Sequence, residues 1–218
     1  MENKLDNIIN DFHPEKFINF FRDRNNKFRQ TIENVSYLDD DSFFNSRKLG
    51  EIPFDEVTKL VIYAFQVKNP LSERSGKKKQ YDKGKKILKD EQVDAGIFIF
   101  YDEKGSFRFS LIYAEYFGAK RTFNHFKRFT YFVSKDQTNK TFKKQIGEGN
   151  FSTLEAIKEA FSVEKVTKEF YSEIANWYFW AMDKVSFPED YKYNENFEKD
   201  KEIRNATNLI RLITRIIF

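Results

Sequence analysis

The sequence predicts an α/β (α+β) fold: a mixed central sheet with flanking helices, followed by a helical C-terminal segment. Three observations carry that expectation. Leu60-Val61-Ile62-Tyr63-Ala64-Phe65-Gln66-Val67 is an almost unbroken apolar run, the mark of a strand buried on both faces. A lysine-rich stretch with helical spacing follows at 76–89, and a second continuous run, Ile97-Phe98-Ile99-Phe100-Tyr101, comes next, so strand, helix, strand reads as a crossover unit. Beyond residue 150 the apolar residues recur at spacings of three and four, which predicts helices to the end of the chain. The organisation expected is an α/β domain over 1–150 and a helical segment over 151–218.

Taken in order, Ile8, Ile9, Phe12, Phe17, Phe20 and Phe21 predict helix, with Pro14 ending one turn or starting the next. Asp39-Asp40-Asp41 marks a loop. In the helix over 76–89, Tyr81, Gly84, Ile87 and Leu88 form a thin apolar stripe, and Gly84 permits close packing on a sheet. Asp102-Glu103-Lys104-Gly105 predicts a turn into a return strand where Phe107, Phe109 and Leu111 alternate with Arg108 and Ser110. A further strand is expected over Phe129–Val133. A short helix is expected over 152–161, then a long one over 164–185 with Val166, Phe170, Ile174, Trp177, Ala181 and Val185 on one side and the Trp177–Trp180 pair in helix packing. Phe187-Pro188 stops it, and a charged linker, Glu195 to Lys201, leads to a last helix over Asn208–Phe218. The abrupt apolar finish Ile216-Ile217-Phe218 reads as a cut inside a helix, so the chain is expected to be a piece of a longer polypeptide.

The 218 residues include 26 Phe and 11 Tyr, which excludes a disordered chain. With no cysteine, disulfides, thiolate metal sites and cysteine nucleophiles are excluded, and His13 and His125 are too few and too separated for a histidine metal cluster. No apolar run approaches a membrane span and the N-terminus is no signal peptide, so a cytoplasmic location without a membrane partner is expected. The net charge of +4 hides a pattern. Segments 68–89 and 120–144 hold 17 basic residues against three acids, a net +14, which leaves −10 for the rest. Such concentrated charge points to phosphate binding, with DNA as the expected partner. The candidate contacts are Arg74, Lys77, Lys78, Lys79, Lys83, Lys86, Lys120, Arg121, Lys127 and Arg128, and aromatics beside them are able to stack on unpaired bases.

The candidate catalytic group is Asp55, Gln66 and Lys68. Gln66 and Lys68 lie two apart at the end of the buried strand and are expected to share a face, with Asp55 on its antiparallel partner or the connecting turn. This layout matches the PD-(D/E)XK nuclease plan: an acid on one strand, then an acid or glutamine, one residue and a lysine on the next. Asp55 and Gln66 would hold Mg²⁺ beside the scissile phosphate and Lys68 would assist the attacking water. Gln66 is only a neutral ligand and Phe54 replaces the expected proline; Glu51 and Glu56 are alternative acids.

Three passages, in this order, resemble the N-terminal region of type IIG fused restriction-modification enzymes. They are Leu71-Ser72-Glu73-Arg74-Ser75-Gly76-Lys77-Lys78-Lys79-Gln80-Tyr81; Asp94–Tyr101 with Phe107–Ile112 and Lys127-Arg128-Phe129-Thr130-Tyr131; and Val166–Tyr171 with Asn205-Ala206-Thr207 and Ile210–Arg215. The resemblance implies a restriction-endonuclease-like domain and the start of a helical connector, ahead of an adenine-specific DNA methyltransferase and a target-recognition part in the parent polypeptide. It implies S-adenosylmethionine in that parent and not here, because the Asn/Asp-Pro-Pro-Tyr/Phe signature is absent. Two functions are therefore expected to compete: Mg²⁺-dependent hydrolysis of double-stranded DNA, and a nuclease-like module that binds DNA or docks without cutting.

Overall fold

In the computed structural model, residues 4–188 and 197–217 are described, and the chain divides into two compact units, Met1–Val163 and Glu164–Phe218. The first opens with two short helices, α1 (Lys4–Asn10) and α2 (Lys16–Arg24), separated at Pro14. A meander follows: β1 (Arg29–Asn34), β2 (Phe43–Pro53) and β3 (Lys59–Val67), antiparallel throughout. Helix α3 (Lys77–Asp90) crosses over to β4 (Ala95–Tyr101), which lies parallel to β3, with Gln66 beside Tyr101 at their C-terminal ends. β5 (Phe107–Phe117) returns antiparallel, and β6 (Lys120–Phe123) and β7 (Thr130–Val133) both pair with it. Helices α4 (Lys140–Gln145) and α5 (Leu154–Phe161) complete the unit. The fold is α+β with a seven-stranded mixed sheet.

Pleating sends alternate residues of the central strands into two separate cores. Leu60, Ile62 and Ala64, with Ile97, Ile99, Phe107 and Phe109, face α1, α2, α4 and α5. Val61, Tyr63 and Phe65, with Phe98, Phe100 and Ile112, face α3. Phenylalanine is so abundant because the first core is built by ring stacking: Phe17 lies on Phe109 at 5.2 Å and Phe109 on Phe161 at 5.3 Å. Gly84 brings α3 onto the sheet, as its spacing predicts. A Cβ there would stand 2.7 Å from Ile112 Cδ1 and 2.9 Å from Phe98 Cδ2.

Several expectations need correction. The first unit extends past residue 150, because Leu154, Ile157 and Phe161 of α5 are buried in its core. Along β5 the alternation of Phe107, Phe109 and Leu111 with Arg108 and Ser110 is present as expected, with both faces covered there and Arg108 1% exposed.

The second unit contains α6 (Val163–Met182) and α7 (Phe197–Ile217), so the last helix begins well before Asn208. Its core joins Ala181, Leu209 and Ile213 to Ile174, Tyr178, Met182, Val185 and Phe187. Asn205 accepts from the Phe187 N–H at 2.9 Å and donates to the Val185 carbonyl at 3.3 Å, tying α7 to the end of the α6 turn. Phe170, Trp177 and Trp180 are exposed within this arrangement, so the tryptophans do not form the packing the spacing suggested. Val166 lies outside the described side chains, as do the linker residues 195–196 and the terminal Phe218 outside the described residues. Among the described residues no helix is long and apolar enough to cross a membrane.

Candidate nucleic-acid interface

Asp55 sits in the β2–β3 turn, where its Oδ1 accepts the N–H groups of Val57 and Thr58 at 2.9 and 2.6 Å. Those bonds, the Thr58 one first, hold its carboxyl below the usual carboxylate range. Gln66 pairs with Phe44 at the opposite end of the same hairpin, and Lys59, beside the turn, pairs with Pro53. At ~3.3 Å per residue the two ends are ~20 Å apart, whereas ligands of one Mg²⁺ lie about 2.1 Å from it. Asp55 and Gln66 therefore do not share a cation. Glu51 is paired across from Val61 and bridges Lys59, and Glu56 lies in the turn beside Asp55, so neither substitutes. Lys68 also leaves its expected place. β3 ends at Val67, the pleat no longer dictates direction, and Lys68 lines a recess on the α3 side while Gln66 lines a cleft on the α1–α2 side.

What stands beside Gln66 is Asn45. A β-bulge between Phe44 and Arg47 puts Asn45 in the left-handed region at φ +49, a conformation asparagine tolerates better than most residues. From there its Nδ2 donates to Gln66 Oε1 at 2.7 Å. The cleft around this pair, about 550 Å³, also carries Asp11, His13, Glu15 and Arg47. These charges are engaged with one another: Arg47 bonds Glu15, and Asp11 bonds Lys16 and approaches His13 at 3.4 Å. Among the described residues no three acidic or histidine side chains gather as a metal cluster. Asp55 and Gln66 do not fit Mg²⁺.

The start of α3 is different. Leu71 donates its N–H to Asp102 Oδ2 at 2.8 Å, while Asp102 Oδ1 accepts from Lys104 and Ser106, each at 3.0 Å. Close by, the buried Arg108 guanidinium donates to the carbonyls of Ser72 at 2.6 Å, Ser75 at 3.1 Å and Glu73 at 3.4 Å. Burial pulls its pKa down to about 10, against the opposing charge of Glu73. With the carbonyls of the loop turned inward to Arg108, the chain enters α3 through Gly76 at φ +74, with no side-chain cap on the first turn. The N–H groups of that turn and the helix dipole favour an anion.

Two recesses flank this point, and Gly76 and Lys79 line both. The outer one, about 560 Å³, brings Arg74, Lys77, Lys78 and Lys79 together with Phe126 and Lys127, uniting the two basic segments. Phe126 rests against Tyr81 at 6.3 Å. Burial and then the Arg108 charge lower the Lys77 pKa. The inner recess, about 280 Å³, holds Asp41, Lys68, Ser75 and Gln80. Gln80 is 3% exposed and its Oε1 is buried without a partner, a cost of about 1–3 kcal/mol.

Not every candidate cation faces outward. Lys83 donates to the Leu38 carbonyl and pairs with Asp40 at 2.7 Å, and its ammonium lies over Phe43. Arg121 pairs with Asp94 at 2.8 Å, donates to the Val93 carbonyl and stacks on Phe123. These two hold the fold. Lys78 is exposed and pairs with Asp82, while Lys86, Lys120 and Arg128 line neither recess. Sequence reasoning missed Asn45, Gln80, Asp102 and Arg108. Only Arg108 left a signal, a charge between Phe107 and Phe109 in a largely apolar strand.

No protein-family model matches the chain, and no curated protein or solved structure matches it.

Proposed function

We propose that the first unit is a DNA-binding module laid out on the nuclease plan, which grips phosphates at the start of α3 and does not cut. The observation that carries the grip is the gathering of Arg74, Lys77, Lys78, Lys79 and Lys127 around an uncapped helix start. Neutralising phosphates releases counterions, so affinity falls with added salt. The observation against hydrolysis is the Asn45–Gln66 pair. On the nuclease plan, neighbouring strands present two carboxylates to a metal; here they present two amides joined by one hydrogen bond. The resemblance to type IIG enzymes supports DNA as the partner and a parent polypeptide with methyltransferase and target-recognition parts, and in that setting this unit docks the assembly on DNA.

Reversing Lys77, Lys79 and Lys127 to Glu weakens duplex binding at least about tenfold. It also makes the fall of log affinity with log salt shallower, by about 0.9 for each phosphate no longer neutralised. Unchanged affinity, or affinity indifferent to salt, would remove the proposal.

A second reading, cleavage, has one observation in its favour: Asp41 and Lys68 line the same recess. Nicking of supercoiled plasmid with Mg²⁺, abolished by Asp41→Asn, would establish it in place of the first.

A further inference from the structure

The inner recess asks for more than an anion. Lys68 and Lys79 line it, and the first turn of α3 begins there, so one side suits a negative group. Gln80 supplies the opposite requirement. Its Oε1 is an acceptor with no partner, and its amide lies directly under Gly76, where a Cβ would stand 3.1 Å from Nε2. Asp41 adds a second acceptor at the mouth. Inorganic phosphate would meet the lysines and would reach Gln80 only by turning its single P–O–H away from them. A metal ion would meet Asp41 and Gln80 and be repelled by the lysines. A ligand that carries a phosphate and, a few ångströms away, an N–H or O–H donor meets both requirements. At about 280 Å³ the recess falls just below the usual range of small-ligand sites, about 300 Å³ and upward.

We propose that this recess receives a single nucleotide, with its phosphate toward Lys68, Lys79 and the α3 start and a base amino or sugar hydroxyl donating to Gln80 Oε1. The nucleotide comes either free or turned out of a bound strand, and the outer recess, sharing Gly76 and Lys79, places a strand's phosphates alongside. Turning a nucleotide out is least costly where it is already unpaired. The inference rests on reading the α3 start as a phosphate-binding surface.

The test is a titration of the full chain with each deoxynucleoside monophosphate, each deoxynucleoside and inorganic phosphate, read on the side-chain amide resonance of Gln80. The nucleotides shift that resonance and bind about tenfold more tightly than phosphate, the worth of one added hydrogen bond. Gln80→Met removes that advantage, and because it also removes the unpartnered buried oxygen it raises the melting temperature. A duplex with one unpaired nucleotide, compared with a perfect duplex of equal length, separates the sources: a preference lost in Gln80→Met assigns the recess to a strand nucleotide, and free-nucleotide binding without that preference assigns it to a free one. Phosphate and nucleotide binding equally, or no movement of the Gln80 resonance, overturns the inference, and the wild-type resonance decides this even if Gln80→Met does not fold. Loss of duplex binding with the nucleotide titration intact overturns the DNA reading and leaves this one standing.

Discussion

The two sides of β3's C-terminal end solve opposite problems with similar residues. On the α1–α2 side, Gln66, Asn45, Arg47, Glu15 and Asp11 are spent on each other or on neighbouring side chains. On the α3 side, Lys68, Lys79 and Gln80 line a recess where a buried oxygen has no partner. A polar cleft in which Arg47 meets Glu15, Asp11 meets Lys16 and Asn45 meets Gln66 gains less from a ligand. A recess that bears an unsatisfied acceptor and an uncapped helix start gains from one, because the cost of leaving those groups unmet is relieved on binding.

The strongest way to break this contrast is to remove the support of the open side. Arg108→Met leaves three loop carbonyls without their guanidinium, and a loss of about 2–4 kcal/mol in denaturant unfolding is expected, with DNA affinity falling alongside. Wild-type stability would mean that the loop holds its shape without Arg108. Next, the closed side can be opened. Asn45→Asp with Gln66→Glu replaces the amide pair by facing carboxylates and creates a cation site. At ten times its dissociation constant Mg²⁺ then stabilises the double variant by about 1.4 kcal/mol, and leaves the wild type unmoved, in a thermal melt. Equal melting curves would show that the two positions do not converge on one ion.

The smallest effect concerns Asp40, which Lys83 pairs with beneath the loop preceding β2. Burial works to raise its pKa, but the Lys83 bond and the N–H groups of Ser42 and Phe43 outweigh it, and the net shift is downward. A carboxylate with a depressed folded pKa contributes stability above its unfolded pKa, near 4, and loses it as pH falls through the folded value. Asp40→Asn therefore flattens the acid limb of stability below about pH 4, by less than about 1 kcal/mol for a part-exposed pair. An unchanged acid limb would place the titration elsewhere.

The sheet was legible where apolar runs were long. Leu60–Val67 and Ile97–Tyr101 fall inside β3 and β4, and the lysine-rich helix is α3 to within a residue at each end. β1 and β2 gave no such run: β1 is largely exposed and β2 is broken by bulges, so neither alternation nor continuity survives in the sequence. The candidate metal pair failed for a related reason. Spacing along the chain placed Asp55 near β3, which it is, but the hairpin reverses direction and delivers the start of β2, with Asn45, to Gln66. Charge counting found both basic segments and had no means to see that Lys83 and Arg121 turn inward, since that depends on carbonyls and acids from other elements.

The anchor of the α3 start comes from far along the chain. Ser72 and Arg108 are 36 residues apart, and Arg108 is positioned only once β5 has paired with β4. The α3 lysines are synthesised before the strand that anchors the loop in front of them, and pairing β5 with β4 is slower than winding the helix itself. A nascent or partly unfolded chain carries the positive charge without its geometry, and the completed sheet brings Arg74, Lys77, Lys78, Lys79 and Lys127 around one recess.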